Sequence, residues 1–183
     1  MNADGLFALL EAARQRCGHR DYVVIGSLSV LGLEEHAPLP SDMTLSIDVD
    51  CYSRDDPPRV FDLKSELGEN SAYHRKHGIY LDPVSPKLAT LPEGWPLRML
   101  CVPRGQVRAH FLDPNDAAIS KLARAEPRDL RWVGAGLKAG LISLAVLRMR
   151  MHSTAFLDAS EQSAAQAALD KLARFAPKSG RGG

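Results

Sequence analysis

The stretch Met43-Thr44-Leu45-Ser46-Ile47-Asp48-Val49-Asp50-Cys51-Tyr52 alternates strictly between apolar and polar side chains. Met43, Leu45, Ile47, Val49 and Cys51 fall on one side of an extended chain, and Thr44, Ser46, Asp48, Asp50 and Tyr52 on the other. That period of two predicts a strand over 43–52 with its apolar side in a core. The polar side then carries Asp48 and Asp50 on one face, with Cα atoms about 7 Å apart. Two carboxylates so placed repel each other, and a hard divalent cation shared between them relieves the repulsion. An isolated pair of this kind reads more readily as the solvated face of a half-buried sheet; the apolar flanks, which anchor the opposite face in a core and hold the acids rigidly, favour the functional reading.

Upstream, Phe7, Leu9, Leu10 and Ala13 recur at helical spacing between Asn2 and Cys17, with Gly18 where a helix stop belongs. Asp21–Ile25 reads as a short buried strand, Gly26-Ser27 breaks it, and Leu28–Glu35 has the apolar content of a short helix ended by Pro38 and Pro40. Downstream, Pro57-Pro58 can open a helix that Gly68 stops. A polar stretch rich in His and Lys follows. Gly78–Asp82 is a third strand closed by Pro83, Leu88–Trp95 is a loop, and Leu97–Val102 with Gln106–Leu112 reads as a hairpin about Pro103-Arg104-Gly105. After Asp113-Pro114 the pattern turns helical: 116–125, 127–139, 142–151 and 158–176. The order predicts an α/β or α+β unit over 1–112 followed by a helical region over 113–176, as one continuous core or as two domains, with a disordered tail over 177–183.

The 183 residues suffice for one domain with a helical appendage and exclude a multi-domain machine. Apolar residues make up 45% and charged residues 25%, enough core to exclude a disordered chain. Cys17, Cys51 and Cys101 are odd in number and without C-x-x-C spacing, which supports neither a disulfide framework nor a zinc ribbon and points to a reducing, cytoplasmic setting. Met1–Ala13 lacks the basic n-region of a signal peptide, and the longest apolar stretch, Ala139–Leu147, is far short of the roughly 18 residues of a membrane span. The net charge of +1 argues against a protein that coats DNA or a membrane surface, yet it sums two unlike parts. Residues 1–97 carry 9 basic against 15 acidic side chains, and 98–183 carry 14 against 7. An acidic half facing a basic half suits a cation and a polyphosphate; it also describes two solvated faces.

Gly26-Ser27 closes a buried strand and opens a helix, so it offers backbone N–H groups and a hydroxyl to a phosphate; Gly-Ser is also an ordinary turn. An apolar strand, Gly-Ser, a helix and then Asp48-Val49-Asp50 on the next strand resemble the DNA polymerase β-like nucleotidyltransferase superfamily. The spacing from 27 to 48 is longer than in its minimal members and keeps Asp48 in register if Glu34–Asp42 forms a loop. Further on, Lys121 in Lys-Leu-Ala-Arg and Asp129 in Pro-Arg-Asp-Leu resemble the later motifs of AbiEii-type nucleotidyltransferases, many of them toxins of toxin-antitoxin pairs.

This resemblance implies an α+β fold, a mixed-sheet nucleotidyltransferase palm followed by a helical region, that moves an NMP group from an NTP, ATP among them, to an acceptor hydroxyl on RNA such as tRNA, on protein or on a small molecule. It implies Mg²⁺ at Asp48 and Asp50, phosphate contacts from Gly26, Ser27 and Lys121, and Asp129 lining the same site. Asp82 is its candidate for a third carboxylate, as metal ligand or general base, and an antitoxin is a candidate partner. A non-catalytic nucleotide- or partner-binding module with the same fold is the competing class. Each later residue also has a structural reading: Asp82-Pro83 as a strand-to-turn junction, Asp129 as a first-turn helix acid, Lys121 as part of a solvated helix face. His74 and His77 read as a solvated basic turn more readily than as a metal pair, since no third ligand lies nearby; contact with the nucleotide or acceptor is the other reading. Trp95 and Trp132 read as core or interface.

Overall fold

The computed structural model describes residues 1–174. It is an α+β protein whose described residues divide into two compact units, Met1–Ala89 with Gly94–Asp113, and Thr90–Glu93 with 114–174.

The first unit is built on a five-stranded mixed sheet. Its strands are β1 (Asp21–Val24), β2 (Asp48–Ser53), β3 (Tyr80–Pro83), β4 (Leu100–Arg104) and β5 (Val107–Phe111), in the order β3-β2-β1-β5-β4. β1 runs antiparallel to β2 and parallel to β5; β2 and β3 are parallel; β4 and β5 form the antiparallel hairpin. The pleat sorts the side chains. Tyr22, Val24, Val49, Cys51, Leu81, Ala109 and Phe111 join one core with Leu6, Phe7, Leu10 and Ala13 of helix α1 (Ala3–Cys17). Asn2 caps that helix by accepting from the Gly5 N–H, and Gly18 closes it.

The strand over 43–52 is shorter than its alternation. Only β2, from Asp48, is extended; Ser41–Thr44 is one helical turn, α2, after the irregular segment 34–40. Leu45 and Ile47 are 71% and 46% exposed and do not continue the core face. A strand persists only where a neighbour supplies a ladder. β3 starts at Tyr80, whose N–H donates to the Ile47 carbonyl, and the chain before it belongs to helix α4 (Ala72–His77), so the β3 ladder does not extend upstream of 47.

Ser27–Leu33 is a 3₁₀ helix rather than an α-helix. Pro57–Leu63 is likewise 3₁₀, running into α3 (Lys64–Leu67). The His/Lys-rich stretch is helical as α4, because Ser71 accepts from the His74 N–H and caps it. Leu97 falls in a 3₁₀ turn, Trp95–Arg98, before the hairpin.

The second unit holds α5 (Pro114–Arg124), α6 (Pro127–Lys138), α7 (Leu144–Met151) and α8 (Ala159–Ala173). α5 packs against the other three, burying Ala118, Ile119 and Leu122 with Trp132, Val133, Leu147 and Leu169. Trp132 thus lies in a core. Asp116 in the first turn of α5 is fully buried and takes a 2.8 Å bond from Arg150. The segment Thr90–Glu93 joins this unit through a Pro92–Thr154 bridge and the Thr90 hydroxyl, which donates to Glu161 at 3.2 Å. The end of the final helix reading and the 177–183 tail lie outside the described residues. Among the described residues no helix is long and apolar enough to cross a membrane.

Candidate active site

Because Val49 and Cys51 turn into the core, Asp48 and Asp50 point from the opposite face of β2. The parallel register sets Tyr80 beside Asp48 and Asp82 beside Asp50, so all four share that face. One carboxylate oxygen from each of Asp48, Asp50 and Asp82 lies within 4.8 Å of the others, and all three residues are half-buried. The Ser46 hydroxyl donates to Asp48 Oδ1, and the Ile25 N–H donates to the Asp50 carbonyl at 3.0 Å, tying β1 to this point of β2.

The Asp82 carboxyl is pushed up by its burial, then by the negative charge of Asp48 and Glu69, against an opposing pull from Lys64. Burial and the surrounding carboxylates also raise the Tyr80 phenol. Three hard oxygen donors held this close by paired strands form a donor set that fits a divalent cation such as Mg²⁺ or Mn²⁺.

Gly26 is built into this site. It follows β1 with φ +69° and ψ −154°, a conformation essentially confined to glycine. A Cβ there would lie 2.0 Å from Asp50 Oδ2, so the carboxylate occupies the space that any side chain at 26 would need. Ser27 follows directly as the first residue of the 3₁₀ helix, and the Ser29 hydroxyl donates to the Gly26 carbonyl at 2.9 Å, fixing the turn.

Lys121 and Asp129 form a separate pair within the helical unit. Lys121 is 3% exposed, not on a solvated helix face, and its Nζ donates to Asp129 Oδ1 at 3.1 Å while lying 4.9 Å from the centre of the Trp132 ring. Arg124 adds two bonds to Asp129, at 3.0 and 2.9 Å. Burial alone would raise the Asp129 carboxyl, but Arg124 and Lys121 outweigh it and hold the carboxyl below its ordinary value. Asp129 does sit in the first turn of α6, where the helix dipole favours an acid.

Tyr80 escapes a sequence reading focused on acids. The signal is nonetheless there, since Tyr80-Leu81-Asp82 repeats the i, i+2 spacing of Asp48-Val49-Asp50. His74 and His77 have separate ring partners: the His74 imidazole tilts against Tyr80 at 4.7 Å and that of His77 stacks on Tyr73 at 4.3 Å.

A mixed sheet carrying three carboxylates on one face, beside a glycine turn at the end of the neighbouring strand, matches a nucleotidyltransferase palm followed by a helical region. The chain belongs to the family described as "Nucleotidyltransferase of unknown function (DUF6036)", whose model matches residues 4–177. No curated protein and no solved structure gives a significant match to the chain.

Proposed function

We propose that this protein is a divalent-metal-dependent enzyme that transfers an NMP group from an NTP to an acceptor hydroxyl. The observation that carries the reading is the meeting of Asp48, Asp50 and Asp82 within 4.8 Å on one sheet face, in a member of a nucleotidyltransferase family. Asp48 and Asp50 are the proposed ligands of Mg²⁺, which when bound offsets the negative charge of the triphosphate and of the transition state. Gly26 and Ser27 bind phosphate oxygens through the turn backbone and the Ser27 hydroxyl. Asp82, the carboxylate contributed by β3, accepts the proton of the attacking hydroxyl. The oxygen–α-phosphorus bond forms as the bond from the α-phosphorus to the bridging oxygen breaks, the electron pair leaves with pyrophosphate, and the proton passes from Asp82 to water.

The proposed palm is 1–112, and the helical region that follows it is 113–176. Lys121 and Asp129 are proposed as nucleotide-binding residues of the helical region, where a 3.1 Å bond joins them. If the two serve only as structure, Lys121→Met lowers stability and leaves NTP binding per folded molecule unchanged. The AbiEii-type resemblance extends the reading to a cytoplasmic toxin with an antitoxin partner, and arrest of growth on expression without that partner tests it.

The decisive experiment incubates the protein with Mg²⁺, each α-labelled NTP, total RNA and soluble cell protein. Label should pass to a macromolecule with release of pyrophosphate, and Asp48→Ala and Asp50→Ala, folded by circular dichroism, should each lose at least a hundredfold in rate. Unchanged transfer in both variants would remove the metal assignment. NTP binding without transfer would favour the non-catalytic module.

A further inference from the structure

We propose that Tyr80, positioned by His74, binds the acceptor, and that the acceptor hydroxyl approaches the carboxylates over the β3 edge of the sheet. The inference rests on the nucleotidyl-transfer reading above. Attacking and leaving oxygens at a transferred phosphoryl centre lie roughly in line, so acceptor and pyrophosphate occupy opposite ends of the reacting group. Gly26 and Ser27, the proposed phosphate contacts, follow β1 on one flank of β2. The other flank is β3, the edge strand in the order β3-β2-β1-β5-β4. With the triphosphate tail toward β1, the acceptor end points toward β3.

β3 is built for a ligand on this side. Its buried side chains are Leu81 and Pro83, while Tyr80 and Asp82 alternate onto the half-open face with Asp48 and Asp50. A large aromatic ring is thus placed beside three acids instead of in the core, which Leu81 already joins. The ring is also fixed. His74 lies 4.7 Å from it between ring centres and is itself anchored, its Nδ1 accepting from the Asn70 N–H at 3.0 Å and its backbone N–H donating to Ser71 Oγ at 3.1 Å. An aromatic ring on the face that carries Asp48, Asp50 and Asp82 suits an acceptor whose hydroxyl is carried next to a flat or apolar group.

The test compares wild type with Tyr80→Ala, Tyr80→Phe and His74→Ala. The probes are Mg²⁺ with the α-labelled NTP that wild type uses, and total RNA plus soluble cell protein as the acceptor mixture. Transfer of label and equilibrium binding of the NTP without acceptor are measured separately. Tyr80→Ala should lose tenfold or more in transfer with NTP affinity within twofold of wild type, and more acceptor mixture should restore part of the rate. Tyr80→Phe should keep at least a third of the wild-type rate, and His74→Ala should fall between. Should Tyr80→Ala fail to fold, His74→Ala on the short helix α4 carries the same split between transfer and NTP binding. Tenfold weaker NTP binding, or undiminished transfer, in the folded variants would overturn the inference alone. Wild-type protein that transfers no label would overturn the underlying reading, a result seen before any variant is compared.

Discussion

Replacing Gly26 by alanine should dismantle the carboxylate cluster through one methyl group. The added Cβ would lie 2.0 Å from Asp50 Oδ2, 2.9 Å from its Cγ and 3.2 Å from its Cβ. Ordinary carbon contacts start near 3.5 Å, so the carboxylate oxygen must retreat by about 1.5 Å. The shift turns Asp50 about its own χ1 and takes it out of the 4.8 Å cluster. Alanine must also hold φ +69° and ψ −154°, which costs about 1–3 kcal/mol, and an off-rotamer Asp50 adds about 1 kcal/mol. The expected loss in urea denaturation is about 2–4 kcal/mol, with affinity for Mn²⁺, read by electron paramagnetic resonance, at least tenfold weaker. Gly18→Ala is the matched control. Gly18 has φ +81° and nothing within 4 Å of the place its methyl would take, so that variant should lose about 1–2 kcal/mol and bind Mn²⁺ as wild type does. If Gly26→Ala binds Mn²⁺ normally and is no less stable than Gly18→Ala, the close approach of Gly26 to Asp50 has no bearing on the site.

Asp82→Asn should retain the fold, with a circular-dichroism spectrum like wild type, and lower the transfer rate at least a hundredfold; a loss under threefold would remove Asp82 from the chemistry. Asp129→Asn should destabilise the protein by about 3–5 kcal/mol, because a buried carboxylate bonded to Lys121 and twice to Arg124 is lost. Lys121→Met should cost less in the same chemical denaturation, since Asp129 keeps Arg124. At the far end of β1, Arg108 and then His110 hold the Asp21 carboxyl down at about 2, against an ordinary value of 3.8. A lowered carboxylate stabilises the fold fully above its ordinary value and loses that contribution as pH falls through the lowered one. Wild type should therefore exceed Asp21→Asn by about 1–2 kcal/mol near pH 6, a figure reduced for the solvent exposure of Arg108, and the two should converge as pH drops from about 4 to about 2. Equal stability at both pH values would show that the Asp21–Arg108 pair contributes nothing.

Much of this architecture is local and legible in order along the chain. The helix closed by Gly18, the buried strand from Asp21, the break at Gly26-Ser27 and the change to helices after Asp113 all follow from short-range chemistry, and each occurs within a few residues of its expected place. Periodicity also puts Asp48 and Asp50 on one face and Val49 and Cys51 on the other. The same periodicity overreaches upstream. Met43, Leu45 and Ile47 continue the pattern, but alternation states which face a strand would bury and not whether a neighbour exists to pair with it. Helix α4 is hidden for a related reason: its polar residues carry no apolar stripe, and its start depends on the single cap at Ser71.

Strand period, turn chemistry and helix capping act over a few residues, so the acid pair of β2, the glycine turn before it and the helical second half are written into short stretches of the chain. Which further groups meet that pair is a matter of long-range pairing. The parallel register of β2 and β3 brings Asp82 level with Asp50 and Tyr80 level with Asp48, although the two strands are far apart along the chain. Packing of α5 against α6 likewise makes Lys121 a buried partner of Asp129 where helical spacing alone leaves it a surface cation. Register and burial are set by contacts between distant segments, and no single stretch of sequence carries that information.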